Sequence, residues 1–264
     1  MKTTKDLKYL FITRTLTGGG AERFVSTFAS YLADRGYDIH VLTYEVSDKD
    51  YPLSDKVNLH VMPFVEDSIS GKFLRIRRMQ QALAQIGADV LIPFIDTVVV
   101  CTYLANLGLG KKLIYTVRNS PWHDDAGRFS KFMRSIIAKR ADAIMLQNRE
   151  QEDFFPDAYR NRIYIVPNPV AEKFRICKKE NYAPRVTRLS AVGRLHTQKN
   201  FPLLLSAVQA VARENPYIRL EIYGEGDLKQ ELETLTGSAV AYQTAKAAVT
   251  LTTAQESRLM MEQI

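Results

Sequence analysis

Lys8-Tyr9-Leu10-Phe11-Ile12-Thr13, followed by Leu16-Thr17-Gly18-Gly19-Gly20-Ala21-Glu22-Arg23, is where the chain first shows its architecture. The apolar run inside the first segment reads as a buried strand. After the glycines, Phe24, Val25, Phe28, Tyr31 and Leu32 recur at helical spacing until Gly36, a natural helix stop. Strand, glycine loop and helix in that order open a parallel α/β unit. Glycines there let backbone N–H groups approach a ligand, and a helix N-terminus favours negative charge. The spacing is not G-x-G-x-x-G, because Arg23 stands where the last glycine would fall. A dinucleotide cofactor therefore loses ground.

The same alternation continues outward. Residues 38–44, 57–62, 89–94, 112–117, 143–147 and 162–166 read as further strands, with helical stretches between most of them. Connections of that length imply crossovers, a parallel sheet and helices on both faces. Residues 1–170 thus form one doubly wound domain. Pro167-Asn168-Pro169 breaks regular structure, and residues 171–184 are charged and aperiodic, as a linker would be.

The pattern restarts at 185–192, a strand ending in Gly193, then a helix over 201–213, a strand over 217–223 and the opening of a helix over 227–235. Residues 236–264 are rich in Ala and Thr, offer no buried strand, and read as an atypical tail. The fold class expected is α/β, two Rossmann-like doubly wound domains, the second incomplete over 185–235. A domain of that kind takes on the order of 100 residues or more. The expectation is therefore a truncation or frame slip near codon 235, which the other reading frames of the gene would expose.

Composition narrows the partners. The chain has 264 residues, 46% hydrophobic and 25% charged, with net charge +7 and a pI near 9.3. A basic surplus favours anionic partners, nucleotide phosphates or an acidic membrane face, although surplus surface Lys and Arg is the plainer reading. No paired Cys/His spacing, aromatic-interleaved basic signature or basic tail argues for nucleic acid, so none is expected as a partner. Cys101 and Cys177 sit in unlike contexts and suggest neither a disulfide nor a metal site. Residues 9–12 are too short for a signal peptide, and no run nears the ~18 apolar residues of a membrane span. A cytoplasmic protein is expected, in contact with the inner face of a membrane at most.

Two further segments carry chemistry. Val192-Gly193-Arg194-Leu195-His196-Thr197-Gln198-Lys199-Asn200 lies between a strand and a helix. Two cations leaving the carboxyl end of a strand at a helix start suit a diphosphate; either cation alone would read as a surface charge. Tyr223-Gly224-Glu225-Gly226 ends the next strand. A lone G-x-G is weak, but its place allows it to share one crevice with Arg194 and Lys199.

Together the three segments resemble the retaining family 4 glycosyltransferases, which have the two-domain GT-B architecture. Phe11-Ile12 with GGGAER resembles that family's first strand and glycine loop, and Val166-Pro167-Asn168-Pro169-Val170 its interdomain passage. VGRLHTQKN is similar to its donor-phosphate motif, and IYGEGDLKQELE to the strand-turn-helix that follows. Thr116-Val117-Arg118-Asn119-Ser120-Pro121 looks like a loop of members that extend lipid-linked or envelope saccharides. The resemblance covers about residues 7–235. It implies transfer of a sugar from a nucleotide-sugar to a saccharide or lipid-linked saccharide, with retention. Arg194 and Lys199 would bind the donor diphosphate and stabilise its charge as it leaves. Gly19 and Gly20 would face the donor phosphates and sugar. Gly193, Asn200, Gly224, Glu225 and Gly226 would lie near the nucleotide. Arg118, Asn119 and His123 would line the acceptor side, His123 in a catalytic role, although a loop histidine between Trp122 and Asp124 equally reads as plain surface. No metal or other cofactor is implied, since Arg and Lys supply the positive charge and no Asp-x-Asp ends a strand. The family's pair of glutamates seven residues apart has no counterpart in 236–264, where Glu256 and Glu262 have the wrong spacing. That departure keeps two rivals open: a non-catalytic remnant or acceptor-binding half that needs a partner for the donor lobe, and a nucleotide-binding regulator.

Residues 71–86 carry Lys72, Arg75, Arg77 and Arg78, with Phe73, Ile76, Met79 or Gln80, and Leu83 at helical spacing; residues 130–140 carry Lys131, Arg134, Lys139 and Arg140. Basic amphipathic helices lie on anionic leaflets. For each alone, a domain helix with its apolar stripe on the sheet and its charges in water is the plainer reading.

Overall fold

The computed structural model describes residues 3–63, 68–122, 128–170, 188–240 and 249–252. The chain divides into two compact units, residues 1–176 and 177–264.

In the first unit the apolar runs become strands β1 (Lys8–Ile12), β2 (Asp38–Thr43), β3 (Asn58–Val61), β4 (Val90–Pro93), β5 (Lys112–Thr116), β6 (Ala143–Leu146) and β7 (Ile163–Ile165). They pair in the order β3-β2-β1-β4-β5-β6-β7, every pair parallel. Helices α1 (Gly20–Asp34), α2 (Ile69–Ile86), α3 (Asp96–Asn106) and α4 (Arg128–Arg140) make the crossovers. Two cores sandwich the sheet. Phe24, Val25 and Ala29 of α1 pack with Phe11, Val41 and Ile92 on one face. Met79 and Leu83 of α2, Val98 and Val99 of α3, and Met133 and Ile137 of α4 pack with Leu10, Leu42 and Leu91 on the other. The strand order reverses between β1 and β4. At such a switch point the flanking loops part and leave a crevice at the carboxyl ends of the strands.

Helix α2 departs from expectation in one respect. Met79 and Leu83 are buried as the spacing predicts, but Phe73 is 71% exposed. At 100° per residue it sits on the flank of the apolar stripe rather than within it.

In the second unit β8 (Arg188–Val192), α5 (Phe201–Glu214), β9 (Arg219–Tyr223) and α6 (Lys229–Val240) follow the expected alternation. Beyond residue 235, where no buried strand is expected, the chain adds one more strand. Val249–Thr252 forms β10, parallel to β9, and completes a three-stranded sheet in the order β10-β9-β8. The Val-Thr-Leu-Thr sequence has high β-propensity without an apolar run, so pattern alone passes over it. The core of this unit is Phe201, Leu205 and Val208 of α5 and Leu232 of α6, against Leu220 and Ile222 of β9.

Two histidines pair across β2 and β3. His40 and His60 stack at 5.0 Å, their Nδ1 and Nε2 atoms 2.7 Å apart, and His40 Nε2 lies 3.1 Å from Asp38 Oδ1. Both rings titrate below the ordinary 6.5, chiefly because burial disfavours the cation; Lys8 adds to this, and His40 also lowers His60. Asp38 opposes the shift on His40. Below 6.5 the unfolded chain then binds more protons than the folded one, so stability is present above that value and is lost as the pH falls through the folded pKa values. Thermal unfolding followed across this range is expected to show that loss, and His60→Gln to flatten it.

Candidate active site

At the carboxyl edge of the first sheet the glycine loop leads from β1 into α1. Gly18, at φ +88, needs its freedom for the turn itself. Gly19 and Gly20 do not. A side chain at Gly20 would meet nothing within 4 Å, and one at Gly19 would overlap only the Glu22 carboxylate, the mobile end of a side chain. Gly19 is the N-cap of α1, with Glu22 in the first turn. The chain's own packing therefore gives no reason for these two glycines, whereas close approach of a ligand to the helix N-terminus does.

Next along that edge is the loop after β5. The Arg118 guanidinium lies 3.7 Å from the Phe24 ring of α1 and 5.0 Å from Phe94 at the end of β4. It donates to Asn168 Oδ1 at 3.2 Å and to Met145 Sδ at 3.1 Å. Burial pulls its pKa down to about 10, which leaves it a cation at neutral pH. Asn119 is exposed, and its carbonyl accepts from Gln151 Nε2 at 3.1 Å. Gln151 is buried and also accepts from the Gln147 N–H at 2.7 Å, so one amide pins the loop to the end of β6. A small pocket beside the loop is lined by Ile95, Asp96, Thr116, Arg118, Asn119 and Arg134, among others. Asp96 is paired with Arg134 at 2.7 Å. Ile95 has φ +70, a strained backbone for a β-branched residue, at the N-cap of α3 and beside the switch point.

His123, the proposed catalytic histidine, lies outside the described residues. The buried Cys101 thiol is pushed up to about 11, mainly by burial, so it offers no nucleophile.

In the second unit the predicted phosphate-binding residues do come together on one pair of loops. The Gly193 N–H donates to the Tyr223 carbonyl at 3.0 Å, Leu195 N–H to the Glu225 carbonyl at 2.8 Å, and Leu228 N–H to the Leu195 carbonyl at 3.0 Å. The loop after β8 is thus laced to the loop after β9. Gly224 and Gly226 exist for that approach. A Cβ on Gly224 would overlap the Gly193 carbonyl oxygen, and one on Gly226, at φ +154, would overlap the Leu195 backbone. Residues 197–199 form a 3-10 turn, capped by His196 Nδ1 accepting from the Gln198 N–H at 3.3 Å. Asn200, at φ +48, joins the turn to α5, a conformation that asparagine tolerates. The aliphatic stem of Lys199 packs at 3.7 Å from the position a Gly193 Cβ would take. Arg194 and Lys199 are both exposed, and neither has an acidic partner among the described residues. Glu225 is turned toward Lys229 Nζ at 3.8 Å.

A larger groove, about 720 Å³, runs between β3 and the C-terminal half of α2 and is lined by His60, Met62, Arg78 and Gln81, among others. None of the candidate residues lines it. Ile95, Gln151 and the Asp96–Arg134 pair, by contrast, shape the candidate pocket and escape a reading of the sequence. Their role depends on contacts between distant segments; only the β-branched residue at a strand-to-helix junction leaves any trace.

This is the GT-B fold. Across 94% of the chain it matches Anabaena Alr3699/HepE in complex with UDP and glucose, with TM-score 0.64, 14% identity and 69% of that chain covered. It matches sucrose-phosphate synthase from Thermosynechococcus elongatus over 94% of this chain and 70% of that one, with TM-score 0.69 and 12% identity. Residues 18–174 match Glycosyltransferase Family 4, and the chain belongs to that family. A Campylobacter jejuni "GalNAc-alpha-(1->4)-GalNAc-alpha-(1->3)-diNAcBac-PP-undecaprenol alpha-1,4-N-acetyl-D-galactosaminyltransferase" is 24% identical over 86% of this chain. The amylovoran biosynthesis glycosyltransferase AmsD of Erwinia amylovora is 23% identical over 81% of it. The chain spans 64% of the first of these relatives and 60% of the second.

Proposed function

We propose that the protein is a retaining glycosyltransferase, moving a sugar from a nucleoside-diphosphate sugar to a saccharide or lipid-linked saccharide. The observation that carries this reading is the pair of exposed cations Arg194 and Lys199, without an acidic partner among the described residues, on a loop fixed by backbone hydrogen bonds. Charge grows on the diphosphate as the glycosyl–oxygen bond breaks. Cations already held in place stabilise it without reorganising. On this reading the two side chains do the work a metal ion does elsewhere, and chelators leave the rate unchanged. The bare backbone at Gly19 and Gly20 admits the donor closely. The relatives' names support the acceptor class: one is named for a saccharide on PP-undecaprenol, the other for amylovoran biosynthesis. The test is incubation of the whole chain with UDP- and GDP-sugars and a lipid-linked saccharide, with the anomeric configuration of the product read by NMR. Transfer with retention is expected; an inverted product would remove the retaining assignment.

The reading also places the protein at a membrane surface. Phe73 on α2, and Phe129 and Phe132 on α4, are 71%, 68% and 62% exposed, beside Lys72, Arg77, Arg78 and Lys131. Arg134 is excluded from this face by its bond to Asp96, and Arg75 is half-buried beside Tyr44 and Cys101. No described helix is long and apolar enough to cross a membrane. Salt-sensitive binding to anionic vesicles in a flotation assay is expected, and weaker binding for the Phe73→Ser, Phe129→Ser variant. Equal binding to neutral vesicles, or none at low salt, would contradict it.

A further inference from the structure

His196 stands between the two cations of the loop after β8, and its bonds reach toward both. Arg194 is fixed from the sheet side. Leu195, next to it, is 1% exposed and is bonded through both its N–H and its carbonyl to the loop after β9. Lys199 lies beyond that lacing. Among the described residues, the backbone hydrogen bonds of residues 196–199 are all local. The His196 N–H donates to the Arg194 carbonyl at 2.9 Å, and the Lys199 N–H donates to the His196 carbonyl at 2.9 Å.

The remaining tie is the ring. His196 Nδ1 lies 3.3 Å from the Gln198 backbone nitrogen and 3.3 Å from the Thr197 hydroxyl. A backbone N–H can only donate, so Nδ1 is the acceptor, the ring is neutral and its proton sits on Nε2. The Thr197 hydroxyl then donates to the same atom. His196 is itself extended, at φ −136 and ψ 153, the conformation of a capping residue. An aspartate would cap at least as well, but it would set a negative charge between two cations that face a phosphate. A neutral imidazole supplies the acceptor without that charge.

The turn in its turn sets the course of Lys199. Asn200, left-handed at φ +48, passes the chain on to α5, and the Lys199 stem lies back along Gly193. Opening the turn at Gln198 frees the segment that carries this lysine, while Arg194 stays laced to the sheet.

We infer that His196 is a positioning residue for the donor: as a neutral cap it holds the 197–199 turn in the shape that sets Lys199 relative to Arg194, without touching the ligand. That it holds the turn stands on the geometry alone. That donor affinity depends on it rests on the transferase reading.

The experiment uses the full-length chain and three variants: His196→Ala, His196→Asn, and His196→Ala combined with Lys199→Ala. The side chain is exposed, so neither substitution disturbs the core. Amide exchange of Gln198, read by NMR without ligand, is expected to speed up in His196→Ala and to return toward the parent rate in His196→Asn, whose side chain caps without titrating. Calorimetric titration with UDP and GDP should show affinity about fivefold weaker in His196→Ala, the size of a lost N-cap. His196→Asn should restore most of it. Against a Lys199→Ala background, His196→Ala should cost nothing more, because the residue it positions is gone. Unchanged Gln198 exchange in His196→Ala overturns the cap. A loss of affinity that asparagine does not restore, or that persists in full without Lys199, means that the ring itself meets the ligand and overturns the positioning role. A parent chain that binds neither nucleotide removes the transferase reading and the effect on the donor with it, and the exchange rates still decide whether His196 holds the turn.

Discussion

Replacing Arg194 and Lys199 together by alanine is expected to weaken binding of a nucleoside diphosphate by about two orders of magnitude, with the fold unchanged. The side chains are exposed and make no ion pair among the described residues, so removing them breaks nothing that holds the unit together. What is lost is charge-assisted hydrogen bonding to phosphate, worth ~1.5–3 kcal/mol per contact. Two such contacts, at the lower bound for an exposed site, sum to ~3 kcal/mol, and each 1.4 kcal/mol is about tenfold in affinity. Turnover should fall further than affinity, because the charge on the diphosphate is greater in the transition state than in the bound donor. Calorimetric titration with UDP and GDP reads the first effect, and initial rates with the matching sugar read the second. The wild-type affinity should also decline with added salt.

Gly224→Ala is expected to unfold the second unit. The added Cβ would lie on top of the Gly193 carbonyl oxygen, and the oxygen cannot swing aside, because the Gly193 N–H is bonded to Tyr223 and the next turn of backbone is held through Leu195 and Glu225. Relief requires separating the two loops, and with them the carboxyl ends of β8 and β9. Overpacking alone costs ~1–3 kcal/mol, and forcing backbone apart exceeds that. A unit with a core of this size has little reserve. Limited proteolysis should then cut beyond residue 188 while the first unit stays resistant. The control is Gly20→Ala, where the methyl would meet nothing, and thermal stability should stay within about 1 kcal/mol of the parent. If that same variant also binds donor poorly, the bare backbone at Gly20 faces the ligand. A fully stable Gly224→Ala chain would show that the two loops are not laced as described.

Much of the architecture was legible in the sequence, and the reason is physical. Buried parallel strands must be nearly continuous in apolar residues, so Leu10-Phe11-Ile12 and Val90-Leu91-Ile92 announce β1 and β4 without help from any other part of the chain. The helix that follows the glycine loop shows itself by period, since α1 buries one stripe only. Strand β10 was not legible, because Val249–Thr252 is set in place by pairing to β9, a long-range event, and has no apolar run of its own. The loop after β8 was visible as a pattern of residue types, yet the pattern did not reveal why Gly224 and Gly226 are glycines. Each answers to the backbone of a segment some thirty residues earlier. Arg118 was marked by its motif; its desolvation, its aromatic neighbours and its unused Nε are properties of the folded pocket. Gln151 gave no signal, as a buried amide that bonds two loops looks in sequence like any other glutamine.

The most direct test is to follow the amide resonances of the whole isotope-labelled chain as UDP or GDP is added. The account predicts shifts concentrated on residues 193–200 and 224–226, lost when Arg194 and Lys199 are both replaced by alanine. Shifts confined to the groove between β3 and α2, or no saturable shift with either nucleotide, would contradict it.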